Sequence, residues 1–320
     1  MLRVGIFGCG GIAVRHVNAT KAARLDVVAA CSRDLAKAQA FTAEHGGQPF
    51  DDLDRMIDVG LDLLVVTTPP FGRRGEAEHA LSRGVNLLVE KPIALDMNAA
   101  TRMADAVEAS DVTAAIGFMY RHGSAVRDWQ ARDTGPVGLY AGAYHCNALH
   151  ADWWRDEAQS GGQILEQVVH QIDLIRYLMG EPATVYARRA NVFHHDTPGY
   201  SVEDVSAITF GWDDGRIATI NASNIATPGV WQKEWNVFAE KLTGRFSSWN
   251  EAVFTPTIAG ASPEPIVSPA DPFITQMEDV AAAIRDKRAP LIPLREGVAT
   301  LKLALAARQS ADERREIDLR

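Results

Sequence analysis

Val4-Gly5-Ile6-Phe7-Gly8-Cys9-Gly10-Gly11-Ile12-Ala13 decides how the chain is read. The run ending in Phe7 is apolar enough for a buried strand, the glycines form a turn, and helical periodicity follows over 12–23. The spacing is G-x-G-x-x-A. Gly8 permits a tight turn, Gly10 lets backbone approach a pyrophosphate, and Ala13 allows close helix–strand contact. The helix start adds N–H donors and a positive dipole end. Gly8, Cys9, Gly10, Gly11 and Ile12 are therefore the expected phosphate contacts. Alone the pattern can be a structural turn; at the first junction of an alternating strand–helix series it points to a dinucleotide.

That series continues with strands at 27–31, 61–67, 87–90 and 112–118, and helices at 35–45, 74–83 and 97–109. The apolar run over 61–67 suits a strand buried on both faces. The class is α/β, with a Rossmann, doubly wound parallel sheet over residues 1–120. After Arg121 the texture changes. Alternation over 137–147, 185–193, 205–212, 216–225 and 232–249 predicts antiparallel strands with one face covered, and Asp213-Asp214-Gly215 marks a hairpin. Helices are expected at 164–179, 273–286 and 295–311, so residues 121–320 form an α+β domain. Asp271-Pro272 supplies a cap and a first-turn proline.

Bulk properties narrow the function. A chain of 320 residues exceeds one ordinary core, and 47% hydrophobic residues suffice for two. The net charge of −9 argues against binding nucleic acid or an anionic membrane surface. No leader or membrane-spanning stretch is apparent, so a soluble cytoplasmic protein is expected. Cys9, Cys31 and Cys146 match no zinc or redox spacing and read as free thiols in a reducing compartment. His194-His195 with Asp196 lacks a third ligand at suitable spacing, so no metal is expected.

The second strand ends in Cys31-Ser32-Arg33, where an NAD enzyme usually presents a carboxylate to the ribose. Arg33 can pair with a 2′-phosphate through its planar fork and Ser32 can donate to it, which favours NADP over NAD. Asp34 is read as the cap of the next helix. Glu90-Lys91-Pro92 follows a parallel strand at the edge where ligands of such sheets bind. Beside a cationic nicotinamide an ammonium is disfavoured, which suits Lys91 to proton transfer. On the helix after Gly161-Gly162, Glu166, His170 and Asp173 recur at i, i+4 and i+7, placing them on one face of an otherwise apolar helix. Acids around a histidine make an oriented acid–base group.

Together, the G-x-G-x-x-A turn, Glu90-Lys91-Pro92 and Gly161-Gly162-Gln163-Ile164-Leu165-Glu166-Gln167-Val168-Val169-His170 resemble the glucose–fructose oxidoreductase / inositol dehydrogenase (Gfo/Idh/MocA) family. Thr68-Pro69-Pro70, Tyr120-Arg121 and Trp153-Trp154-Arg155 extend the likeness over essentially the whole chain. The resemblance implies a second domain with a large open, mainly antiparallel sheet, one face serving substrate and the other a homodimer or homotetramer. It implies hydride transfer between a nicotinamide and a CH–OH or C=O carbon of a sugar, inositol or related polyol. Carried over, the catalytic residues are Lys91, which moves the proton of the reacting oxygen, His170, which positions that oxygen or shares the relay, and Glu166, which acts directly or orients His170. Thr68, Pro69, Glu90, Lys91, Trp154 and Arg155 become cofactor contacts; Tyr120, Arg121, Trp153, Glu166, His170 and Asp173 join Lys91 as substrate contacts. Arg73 stands where relatives often carry His, and Lys91–Pro92 is expected to be cis. Rival readings are a lyase or glycosidase that uses bound nucleotide transiently, and a non-catalytic NADP-binding sensor.

Overall fold

The computed structural model describes residues 1–147 and 151–320, in two compact units. The first comprises Met1–Met119 with Asp271–Ala299, the second Tyr120–Ala270 with Thr300–Arg320.

In the first unit β1 (Arg3–Phe7), α1 (Gly11–Ala22), β2 (Asp26–Cys31), α2 (Leu35–His45), β3 (Gln48–Phe50), α3 (Leu53–Ile57), β4 (Leu63–Val66), α4 (Glu76–Ser82), β5 (Asn86–Val89), α5 (Met97–Glu108) and β6 (Ala114–Ile116) follow one another. The sheet order is β3-β2-β1-β4-β5-β6, all pairs parallel. All of β4 is buried, which is why its sequence is an unbroken apolar run. Strand order reverses between β1 and β4, so their carboxyl ends frame the ligand crevice of an open sheet. β3 and α3 were not anticipated. They are too short for periodicity to register, although Asp52 caps α3 by accepting from Arg55 N at 2.9 Å.

The expectation of a second domain continuous over 121–320 needs correction, because Asp271–Ala299 belongs with the first unit. In the helix Pro272–Asp286, Phe273 meets the His16 ring of α1 edge-on at 5.4 Å, and Ile116 N donates to Ile292 O at 3.2 Å. An amphipathic helix shows its buried face in sequence but not the element it packs on.

The second unit contains α6 (Ser124–Ala131), β7 (Val137–His145), the short helices α7 (Asp152–Arg155) and α8 (Glu157–Ser160), a π-helical turn Ile164–Val168 and α9 (Val169–Met179). Then come β8 (Thr184–Ala190), β9 (Val205–Gly211), β10 (Ile217–Ser223), β11 (Gln232–Ala239), β12 (Leu242–Phe246), β13 (Glu251–Pro256), β14 (Glu264–Val267), the part from Thr300 onward of the helix Leu294–Glu313, and β15 (Ile317–Asp318). The nine-stranded sheet runs β14-β13-β12-β11-β7-β10-β9-β8-β15, with β7–β10 parallel and the other pairs antiparallel. β9 alternates buried and exposed residues, as a sheet covered on one face must. Between β9 and β10, Gly215 at φ +88° closes the expected hairpin, its N–H bonding Trp212 O at 3.0 Å.

Candidate active site

The glycine loop separates two demands. Gly8 is needed by the fold: at φ +107°, a Cβ there would lie 2.9 Å from both Thr67 Oγ1 and Thr68 N. Thr67 Oγ1 donates to Gly8 O at 2.7 Å, tying the loop to the end of β4. Gly10, by contrast, has φ −100° and ψ −176°, open to any residue, and a Cβ on Gly10 or Gly11 would meet nothing within 4 Å. Neither the backbone of Gly10 nor its packing requires glycine. What it leaves clear is the approach to the start of α1, which has no side-chain cap and no acidic residue in its first turn. A dinucleotide pyrophosphate fits such a cradle. Thr68 Oγ1, buried without a hydrogen-bond partner in the neighbouring loop, fits it as well. We expect Gly10→Ala to leave unfolding free energy within about 0.5 kcal/mol while weakening nucleotide binding by about tenfold or more. Gly8→Ala should cost about 1–3 kcal/mol of stability. Denaturant titration beside fluorescence titration of NADPH separates the two.

At the end of β2, Asp34 accepts from Ala36 N and Lys37 N and so caps α2, as expected. Arg33 is exposed and Ser32 half-buried. Burial pushes the Cys9 thiol up to about 11 and the Cys31 thiol to about 12, so neither is a nucleophile near neutral pH.

Lys91 follows β5, and Lys91–Pro92 is cis as expected. The Glu90 carboxylate turns into the protein rather than toward a ligand. Its Oε1 meets His16 Nε2 at 2.7 Å, its Oε2 accepts from Lys91 N at 3.1 Å, and a Cβ on Gly117 would come within 3.2 Å of it. Burial alone would raise this carboxyl; the hydrogen bond and charge of His16, with Lys91 and Arg73, outweigh it and hold Glu90 below the usual carboxylate range. His16 was missed in the sequence. It lies on the α1 face of Ala13, Val17 and Thr20, all buried, where an imidazole needs a partner.

In the second unit Tyr120 and His170 stack face to face, centroids 4.5 Å apart and planes 7° from parallel. Trp249 flanks Tyr120 at 4.8 Å. Glu166, half-buried, lies in the π-helical turn and accepts from Trp154 Nε1 at 2.9 Å. The even i, i+4 spacing expected for Glu166 and His170 is therefore interrupted by a wider turn, of a kind found often at functional sites. Trp154 is buried and Trp153 half-buried; Arg155, partly exposed, is 3.5 Å from Asp152. Arg121 donates through Nε and a terminal nitrogen to Asp173 at 2.8 and 2.6 Å, and both residues are buried. Thr300 Oγ1 adds a bond to Asp173 at 3.2 Å. Asp173 thus stands closer to a support of the helix than to a ligand contact.

Two buried acids also went unnoticed. Glu203 Oε1 accepts from Ile164 N at 2.7 Å, and its carboxylate fills the space a Cβ on Gly162 would need. Asp204 binds Val192 N at 2.8 Å and His194 Nδ1 at 3.2 Å. The signal was an acidic pair inside Val202-Glu203-Asp204-Val205, at the start of a strand. Among the described residues no group of three or more His, Cys, Asp or Glu is placed to hold a metal ion.

Residues 2–118 match the family described as "Oxidoreductase family, NAD-binding Rossmann fold", and residues 127–243 match the "GFO/IDH/MocA C-terminal domain". A glucose-6-phosphate 3-dehydrogenase of Bacillus subtilis (strain 168) is 31% identical over 189 residues, 56% of this chain and only 54% of that protein. An inositol 2-dehydrogenase of Rhizobium meliloti (strain 1021) is 26% identical over 338 aligned positions, covering 99% of both chains. Levoglucosan dehydrogenase, solved in complex with NADH and levoglucosan, shares the fold with a TM-score of 0.91 at 18% identity, covering 99% of each chain. The matches to both halves, in the order in which the glycine loop and the π-turn helix occur, place this chain in the Gfo/Idh/MocA family of oxidoreductases.

Proposed function

We propose that the chain is a nicotinamide-dependent dehydrogenase, NADP preferred over NAD, acting on a CH–OH or C=O carbon of a sugar, inositol or related polyol. The observation that carries this reading is Gly10, a glycine that neither backbone nor packing demands, at the uncapped start of α1. The names of the relatives, which act on glucose 6-phosphate and inositol, supply the substrate class.

A bound nicotinamide supplies the hydride acceptor or donor. Lys91 takes or returns the proton of the reacting oxygen, and the backbone around it is fixed by Glu90 and His16. His170, its ring orientation set by stacking on Tyr120, positions that oxygen or shares the proton. Glu166, held by Trp154, orients the imidazole or a substrate hydroxyl. Tyr120 and Trp153 frame the substrate, and the Arg121–Asp173 pair fixes the helix that carries His170. Gly8, Cys9, Gly10, Gly11, Ile12, Thr68, Pro69 and Arg155 complete the nucleotide contacts.

Arg33 favours NADP because its exposed guanidinium stands where a carboxylate would select NAD. Replacing Arg33 by Asp should weaken NADPH by about tenfold or more, the scale of one charge-assisted contact, and reverse the preference. Fluorescence titration of both nucleotides checks this. Tighter NADH binding by the unaltered protein would refute it.

A homodimer or homotetramer through the second unit's sheet fits its open face. Leu139 lies opposite Ile217 on β10 and Phe238 on β11, and all three are exposed, as is Tyr186 on β8. Among the described residues no helix is long and apolar enough to cross a membrane. The three unpaired cysteines suit a cytoplasmic, reducing setting.

A further inference from the structure

We infer that Arg73 is the positioning residue for Lys91, its guanidinium holding the Glu90–Ile93 backbone in the conformation from which the amine works. The inference rests on the reading of Lys91 as the acid–base group. Arg73 follows a short turn, Pro70–Gly72, after the Thr68-Pro69-Pro70 loop. One terminal nitrogen donates to Glu90 O at 2.7 Å, and the other to Pro92 O at 2.5 Å and Ile93 O at 2.9 Å. Its Nε donates to Thr68 O at 3.2 Å. A single planar group thus joins the loop after β4 to the loop after β5, grasping carbonyls on both sides of Lys91.

Two features set this part-buried arginine apart from an ordinary surface residue. Nearly the whole donor fork is spent on backbone carbonyls, so the bonds fix main-chain geometry rather than another flexible side chain. Lysine carries the same charge on one nitrogen and cannot span four acceptors spread over two loops. The second anchor comes from the Glu90 carboxylate, which accepts from Lys91 N while His16 holds its other oxygen. Arg73 and Glu90 therefore grip the Lys91 peptide independently, through carbonyls and through its N–H. Burial pushes the guanidinium down to about 10, against the pull of Glu90 and Glu76, which leaves it charged near neutral pH. Without Arg73 the carbonyls of Glu90, Pro92 and Ile93 lose this donor, and an ångström of drift at Lys91 is enough to cost turnover steeply.

The test compares Arg73→Lys, Arg73→Ala and Lys91→Met in the full chain, at a temperature where melting curves show each variant folded. Arg73→Lys should lower kcat by roughly tenfold or more, while KM and the NADPH dissociation constant stay within about threefold. Turnover of Arg73→Ala should recover several-fold with guanidinium, far below denaturing concentrations, and not with sodium chloride of equal ionic strength. A merely structural arginine would show neither the kcat–KM split nor selective rescue. Wild-type kcat in Arg73→Lys, or equal recovery with both salts, overturns the inference. If Arg73→Ala does not fold, Arg73→Lys decides alone. An active Lys91→Met removes the reading of Lys91 itself; an inactive one beside a fully active Arg73→Lys removes only the role of Arg73.

Discussion

Replacing Lys91 by Met should abolish turnover while leaving NADPH binding nearly unchanged. Methionine keeps the length and most of the apolar stem but has no proton to give. A positioned acid–base group contributes about 10²–10⁴-fold, so kcat should fall by that factor. Nucleotide binding should survive because Gly10 and the uncapped start of α1, where the nucleotide is proposed to sit, are untouched. The backbone around position 91 should survive too, since it is held through main-chain atoms: Arg73 on the carbonyls of Glu90, Pro92 and Ile93, Glu90 on the Lys91 N–H. Turnover within threefold of the parent would remove Lys91 from the mechanism. Steady-state kinetics beside a fluorescence titration reads both quantities.

The second large effect is on stability. Arg121 and Asp173 form a two-point ion pair in which both partners are buried, with the guanidinium 4.8 Å over the Tyr177 ring and Thr300 bonded to the carboxylate. Thr300 in turn accepts from Arg176 at 2.9 Å, so the carboxylate ends a chain of three linked groups. Removing one member of a buried pair leaves the other charge in a low-dielectric interior and typically costs about 3–5 kcal/mol. We therefore expect Asp173→Leu to destabilise the second unit by about 3 kcal/mol in denaturant titrations. The double variant Arg121→Met with Asp173→Leu should recover most of that, because both charges of the pair are removed together. A single-variant cost under about 1 kcal/mol would show that water or another group compensates the arginine.

The same pair shows where sequence reading stops. That Asp173 shares a helix with His170 follows from spacing, but that its partner is Arg121, 52 positions earlier, does not. Periodicity recovers elements whose residues repeat over two or more turns, such as α2 and α5, and alternation recovers β7 and β9. It passes over β3 and α3, with too few residues to show a period, and over the π-helical turn, where one altered hydrogen-bond register leaves the hydrophobic pattern unchanged. The glycine turn between β1 and α1 was legible because glycine is chemically singular. His16 and Arg73 were not, because their roles come from contacts 74 and 17 to 20 positions away, set by the parallel order of β1, β4 and β5.

Every role proposed for these residues depends on hydride transfer between a bound nicotinamide and a polyol carbon. Mixing the protein with NADP⁺ and a panel of aldoses, inositols and sugar acids, and following the near-ultraviolet absorbance of reduced nicotinamide, tests it directly. Absorbance should grow steadily with at least one of these compounds. Conversion of a sugar with no net reduction of nucleotide would contradict it and point instead to a lyase or glycosidase that returns the hydride.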